Sequence, residues 1–162
     1  MKIKIRIAKP EDAGKIVAIN KIGWLTTYVN QENGITKADI LSKNFNRQKA
    51  WRESIQNHKR ESHFWIAECD GKIIGYISAK KDKEYNELGI YILPKFQSMG
   101  IGGRLIKKAF KWLGEEKKIR ISVVGYNAKA INFYSKHGFI KIKNENHKLP
   151  SGKNLPTIMM IK

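Results

Sequence analysis

The sequence predicts a mixed α/β fold, and three stretches of it carry that prediction. In the first, a strand-like run over 88–93 passes through a glycine turn into a helical run over Ile101–Leu113. The second is Asp70-Gly71, set between apolar runs over 64–69 and Lys72–Lys80, a hairpin signal. The third is the β-branched run Ile119–Val124, followed from Asn127 by another helical segment.

Taken in order, residues 1–7 alternate charge with isoleucine, a strand pattern unlike the apolar core of a signal peptide. Pro10 marks a helix start, with Glu11 and Asp12 in an acidic first turn. Ile16, Val17, Ile19, Ile22 and Leu25 form the apolar face of that helix. Residues 30–34 read as a turn, and one second helical region is expected over about 36–57. The hairpin about Asp70-Gly71 extends into a meander through a third strand over about 84–93. In the helix over Ile101–Leu113, Ile101, Leu105, Ile106, Ala109, Phe110 and Leu113 recur at helical spacing. In the next helix Asn127 is a suitable N-cap and Gly138 a suitable C′ residue. Two terminal strands, over 139–143 and 157–161, flank a polar loop with Pro150, Gly152 and Pro156.

A chain of 162 residues, 41% hydrophobic and 28% charged, is expected to form one domain spanning 1–162. No apolar run approaches the ~20 residues of a membrane span, so no membrane partner is expected. Cys69 is the sole cysteine, which excludes an internal disulfide framework and fits a reducing, cytoplasmic setting. It reads as a small buried strand residue. The net charge of +18 has three readings. Compositional background comes first, because lysines are spread along the chain and arginine stands only at 6, 47, 52, 60, 104 and 120. Electrostatic steering of a polyanion comes second. A nucleic-acid surface comes last, since arginine is what such recognition favours.

The turn over 94–103 is where chemistry is expected. Glycines let a chain turn tightly, and a helix start offers unpaired N–H groups and a positive dipole end, so the stretch suits a diphosphate. A Walker loop, GxxxxGK[ST], is absent, and a dinucleotide fingerprint would need glycine where Leu105 stands. What is present is Gln97-x-x-Gly100-x-Gly102, which resembles the acyl-coenzyme A loop of the GCN5-related N-acetyltransferases, the GNAT family. Downstream, Asn127-x-x-Ala130-x-x-Phe133-Tyr134-x-x-x-Gly138-Phe139 is similar to the second cofactor segment of the same family. The resemblance covers most of residues 2–139.

The resemblance implies a mostly antiparallel central sheet of about seven strands with a cleft between the fourth and fifth. It implies acetyl transfer from acetyl-CoA to a primary amine, by direct attack in a ternary complex. Gln97, Ser98, Met99, Gly100, Ile101, Gly102 and Gly103 would hold the cofactor phosphates. Backbone groups at Tyr91 and Ile92, with Asn127, would hold the pantetheine arm, and Tyr134 would protonate the leaving sulfur. Glu87 is the candidate base, although relatives often place that acid at the position of Asn86; Glu84 and a water relay are the alternatives. Trp24 and Tyr28 are candidate acceptor contacts, by likeness to an amine-acetylating branch.

A small amine or polyamine is the expected acceptor, with a protein N-terminus or lysine as the alternative. A cofactor-binding sensor and a basic nucleic-acid binder stay open, as does a homodimer. His58, His63, His137 and His147 show no metal-ligand spacing, and no metal is expected. His137 reads as a cap at a helix end.

Overall fold

The computed structural model describes residues 2–57 and 61–162; His58 lies outside the described residues. Seven strands are described: β1 Ile3–Ile7, β2 Ser62–Cys69, β3 Lys72–Lys80, β4 Asn86–Ile92, β5 Ile119–Val124, β6 Ile140–Lys148 and β7 Asn154–Ile161. The helices are α1 Ala13–Thr27, α2 Lys37–Leu41, α3 Gln48–Gln56, α4 Ile101–Leu113 and α5 Ala128–Lys136. The strands form one sheet in the order β1-β2-β3-β4-β5-β7-β6. Every pairing is antiparallel except β4 with β5.

Local chemistry accounts for the elements. Asp70 (φ 46°) and Gly71 (φ 78°) are both left-handed, as a two-residue turn between twisted antiparallel strands requires. Pro10–Asp12 forms a single 3-10 turn, and α1 starts after it at Ala13. Asp12 closes that turn by accepting from the Lys9 N–H at 2.7 Å. Its two oxygens also accept from Arg6 at 2.8 and 3.0 Å.

The second helical region differs from the expectation of one helix over 36–57. It is two helices, α2 and α3, with residues 42–47 between them. Thr36 and Asp39 form a reciprocal capping box that starts α2. Asn44 then accepts from the Asn46 N–H at 2.9 Å, a local bond that competes with helix. The terminal strands are longer than expected, and Pro156 lies inside β7 opposite Asn146. The connection shrinks to residues 149–153, closed by Leu149 N–H donating to the Lys153 carbonyl at 2.8 Å.

Helices cover both faces of the sheet. Leu105, Ile106 and Ala109 of α4 are fully buried, packed with Ile74 and Ile77 of β3 and with Leu88, Ile90 and Ile92 of β4. Each of the fully buried Leu105, Ile106, Ile74 and Ile77 side chains contributes about 1.5–3 kcal/mol by leaving water. On the other face Ile16 and Ile19 of α1, with Ile55 of α3, pack against Phe64, Ile66 and Tyr76, with Tyr91 and Leu93 beside them. Adjacent residues of β4 thus serve opposite layers. Cys69 is buried at the end of β2, and burial raises its thiol pKa. Among the described residues no helix is long and apolar enough to cross a membrane.

Candidate active site

The parallel pair β4–β5 is short, and that creates the site. The strands are in register only at Asn86↔Ile119 and Glu87↔Arg120, then separate. A cleft of 590 Å³ opens between them, lined by residues of β4, β5, α5, the end of α1 and the loop before α4.

β4 presents free backbone to this cleft. Asn86 N–H donates to Lys118 on the β5 side, whereas Leu93 N–H donates to Ile74 on the β3 side. Strand alternation therefore turns the amides of Ile90 and Ile92 toward the cleft. Tyr91, opposite Tyr76 on β3, turns its amide the other way. The expectation of a free backbone at Tyr91 and Ile92 thus becomes Ile90 and Ile92, and Tyr91 contributes its side chain.

At one end of the cleft the chain enters α4. Gly100 has φ 74°, a conformation that costs a side-chain-bearing residue about 1–2 kcal/mol. At Gly102 a Cβ would lie 2.9 Å from the Phe133 ring, so the close approach of α4 and α5 requires glycine. The first α-helical bond donates from Arg104 to the Gly100 carbonyl, leaving the amides of Ile101, Gly102 and Gly103 without helical partners. Gln97, Ser98, Gly100, Gly102 and Gly103 line the cleft. Met99, 42% exposed, and Ile101, with its side chain buried, are not among the residues that line the cleft.

Gln97 is fixed from both sides, donating to the Ile92 carbonyl and accepting from the Lys129 ammonium, each at 3.0 Å. Lys129 is the one formally charged residue among the described lining residues. It occupies an unspecified position of the Asn127–Phe139 pattern, so sequence reasoning had no signal for it. Gly23, Ser122 and Tyr126 also line the cleft without having been expected.

Asn127 caps α5 by accepting from the Ala130 N–H at 3.1 Å, as expected, and lines the cleft. Tyr134 lies about two turns on, 7% exposed. Its ring packs edge-on against Phe133 and Phe139, both at 5.3 Å. Burial, and then the neighbouring Tyr91, raise its pKa well above the ordinary 10.0, so the phenol stays protonated. His137 is held at the end of α5, its Nδ1 2.8 Å from the Phe133 carbonyl oxygen.

The end of the cleft beside α1 is aromatic. Tyr28 and Tyr91 line the cleft, and Trp24 stands behind them, its Nε1 donating to the Tyr91 hydroxyl at 3.0 Å. Trp24 and Tyr28 rings meet edge-on at 4.8 Å. Burial first, then Tyr91, raise the Tyr28 pKa well above its ordinary value.

Glu87 is not brought into this constellation. It bonds Arg120 at 2.6 Å where β4 and β5 are still joined, and it does not line the cleft. Asn86 is 2% exposed and points to the opposite face, and Glu84 is exposed outside the cleft. Among the described residues no three His, Cys, Asp or Glu side chains group as a metal site.

The sequence model described as "Acetyltransferase (GNAT) family" matches residues 17–139. A probable N-acetyltransferase of Mycobacterium tuberculosis is 30% identical over 173 residues, covering 96% of this chain and 91% of that protein. An N-alpha-acetyltransferase of Sulfurisphaera tokodaii is 28% identical over 110 residues, covering 58% of this chain and 66% of that protein. Among solved structures, the PaiA N-acetyltransferase of Thermoplasma acidophilum in complex with coenzyme A superposes with a TM-score of 0.77. It is 23% identical and covers 100% of this chain and 99% of that one, a likeness of fold. With the motif loops, the split sheet and the matched segment in agreement, the chain belongs to the GNAT family of N-acetyltransferases.

Proposed function

We propose that the cleft binds acetyl-CoA and transfers its acetyl group directly to a primary amine within a ternary complex. The observation that carries this is the disposition of donors: unpaired amides at the start of α4 and protonated Tyr134 facing the same cleft. The diphosphate lies against the amides of residues 100–103, with Lys129 and the +18 overall charge favouring it. Pantetheine runs along Ile90 and Ile92 as an added strand, with Asn127 opposite. One of the β4 amides supports the thioester oxygen as it gains charge. The amine nitrogen attacks the carbonyl carbon, the C–S bond breaks, and Tyr134 gives its proton to the departing sulfur. Holding two substrates in line contributes the largest share, on the order of 7–11 kcal/mol.

With Glu87 paired to Arg120, the amine's proton leaves through water. Residue 134 tests the reading: Tyr134→Phe should lower kcat about 10²-fold while acetyl-CoA affinity holds within threefold. Unchanged turnover would remove the acid role.

A further inference from the structure

The acceptor wall has a second feature, immediately behind the cleft. Lys43 places its ammonium 4.6 Å from the Trp24 ring centre, and the His147 ring lies 6.2 Å from the same indole. Arg47 is close enough to act on Lys43, and Lys43 on His147. Burial, then the neighbouring cation, lowers the pKa of both Lys43 and His147, and among the described residues no carboxylate acts on either.

The nearby acids are committed elsewhere. Asp39 on α2 is closed onto the Thr36 hydroxyl and amide at 2.6 and 2.8 Å, and Glu145 on β6 pairs with Lys143 at 3.1 Å. Arg47 and His147 are exposed and Lys43 half-buried. Lys43 and Arg47 are thus two accessible neighbouring cations, paired with no carboxylate among the described residues, with the neutral His147 imidazole beside Lys43. Like charges held together are relieved by an anion. One indole separates this group from Tyr91 in the cleft.

The cleft itself contains no carboxylate among its described lining residues. A polyamine would bring several positive charges to a wall that offers only neutral groups and neighbouring cations. An alkylamine, with a pKa near ~10.4, is about 0.1% neutral at pH 7.4, whereas a peptide α-amino group at ~7.7–8.0 is about a quarter neutral. A site that removes the proton through water, without a carboxylate, suits the second. Exposed apolar side chains next to the wall, Val29 after Tyr28 and Leu41 before Lys43, offer further contact to a peptide.

Resting on the acetyltransferase reading, we infer that the acceptor is the α-amino group of a peptide N-terminus whose next residues are acidic. The amine enters past Tyr28 and Tyr91, and the peptide's carboxylates pair with Lys43 and Arg47, with the His147 imidazole alongside. The α-nitrogen then forms the amide bond, coenzyme A leaves as the thiol, and the amine's proton passes to water.

The test measures thiol release from acetyl-CoA with five acceptors. These are Ala-Asp-Glu-led and Ala-Lys-Lys-led peptides, an N-terminally blocked lysine peptide, spermidine and free aspartate. The acidic peptide should show a kcat/KM at least tenfold above every other acceptor. In the double variant Lys43→Gln/Arg47→Gln its KM should rise at least fivefold, with acetyl-CoA affinity by calorimetry and the melting temperature unchanged. Preference for spermidine, blocked lysine, the basic peptide or aspartate would overturn this inference, as would an unmoved KM in the double variant. Acetyl-CoA binding with no acceptor turned over would also overturn it. Failure of the wild-type protein to bind acetyl-CoA would overturn the acetyltransferase reading itself.

Discussion

The Lys129 ammonium donates to Gln97 Oε1 at 3.0 Å, tying the first turn of α5 to the loop that enters α4. This contact bridges the two sides of the cleft at the end where the diphosphate is proposed to bind. Lys129→Ala should therefore raise the acetyl-CoA KM about tenfold and change kcat less than threefold. Steady-state kinetics with varied acetyl-CoA checks this.

Gly102 gives a second, steric prediction. A Cβ there meets Phe133 at 2.9 Å, and in the proposed binding mode a larger side chain would also obstruct the diphosphate. Gly102→Val should weaken acetyl-CoA binding at least tenfold, about 1.4 kcal/mol, measured by calorimetry.

Glu87 gives a prediction of little change. Its carboxylate bonds Arg120 at 2.6 Å outside the cleft. Glu87→Gln should keep kcat within threefold of wild type and leave the shape of the pH–rate profile unaltered. A fall of 10²-fold with loss of the acid-limb rise would restore the carboxylate as base.

These three predictions differ in how far the sequence led to them. The strand–turn–helix at 88–113 was legible because periodicity changes from two to 3.6 across glycines whose backbone roles are local. Asn127 and Gly138 were legible for the same reason, since caps act within one turn. Lys129 was not, because its partner Gln97 is 32 residues away and only the fold brings them together. The fate of Glu87 was equally hidden: it depends on where β4 and β5 part, a long-range register that places Arg120 opposite it. The break between α2 and α3 turned on Asn44 bonding Asn46, weak local chemistry within an otherwise helix-compatible run.

Asp12 sets a pH dependence of stability. Burial alone would raise its pKa, but the Arg6 guanidinium and the Lys9 amide hold it below the ordinary 3.8. A carboxyl depressed on folding contributes stability that is present above the unfolded pKa and lost as pH falls through the folded value. Asp12→Asn should cost about 1–3 kcal/mol at pH 7. The gap from wild type should close progressively below about pH 4, as read by denaturant unfolding at several pH values.

Acetyl-CoA is proposed to occupy the opening between β4 and β5, and a crystal structure of the complex is the decisive experiment. The diphosphate should lie within hydrogen-bonding distance of the residue 100–103 amides, pantetheine along Ile90 and Ile92, and sulfur beside the Tyr134 hydroxyl. Cofactor bound elsewhere on the protein, with this opening empty, would contradict it.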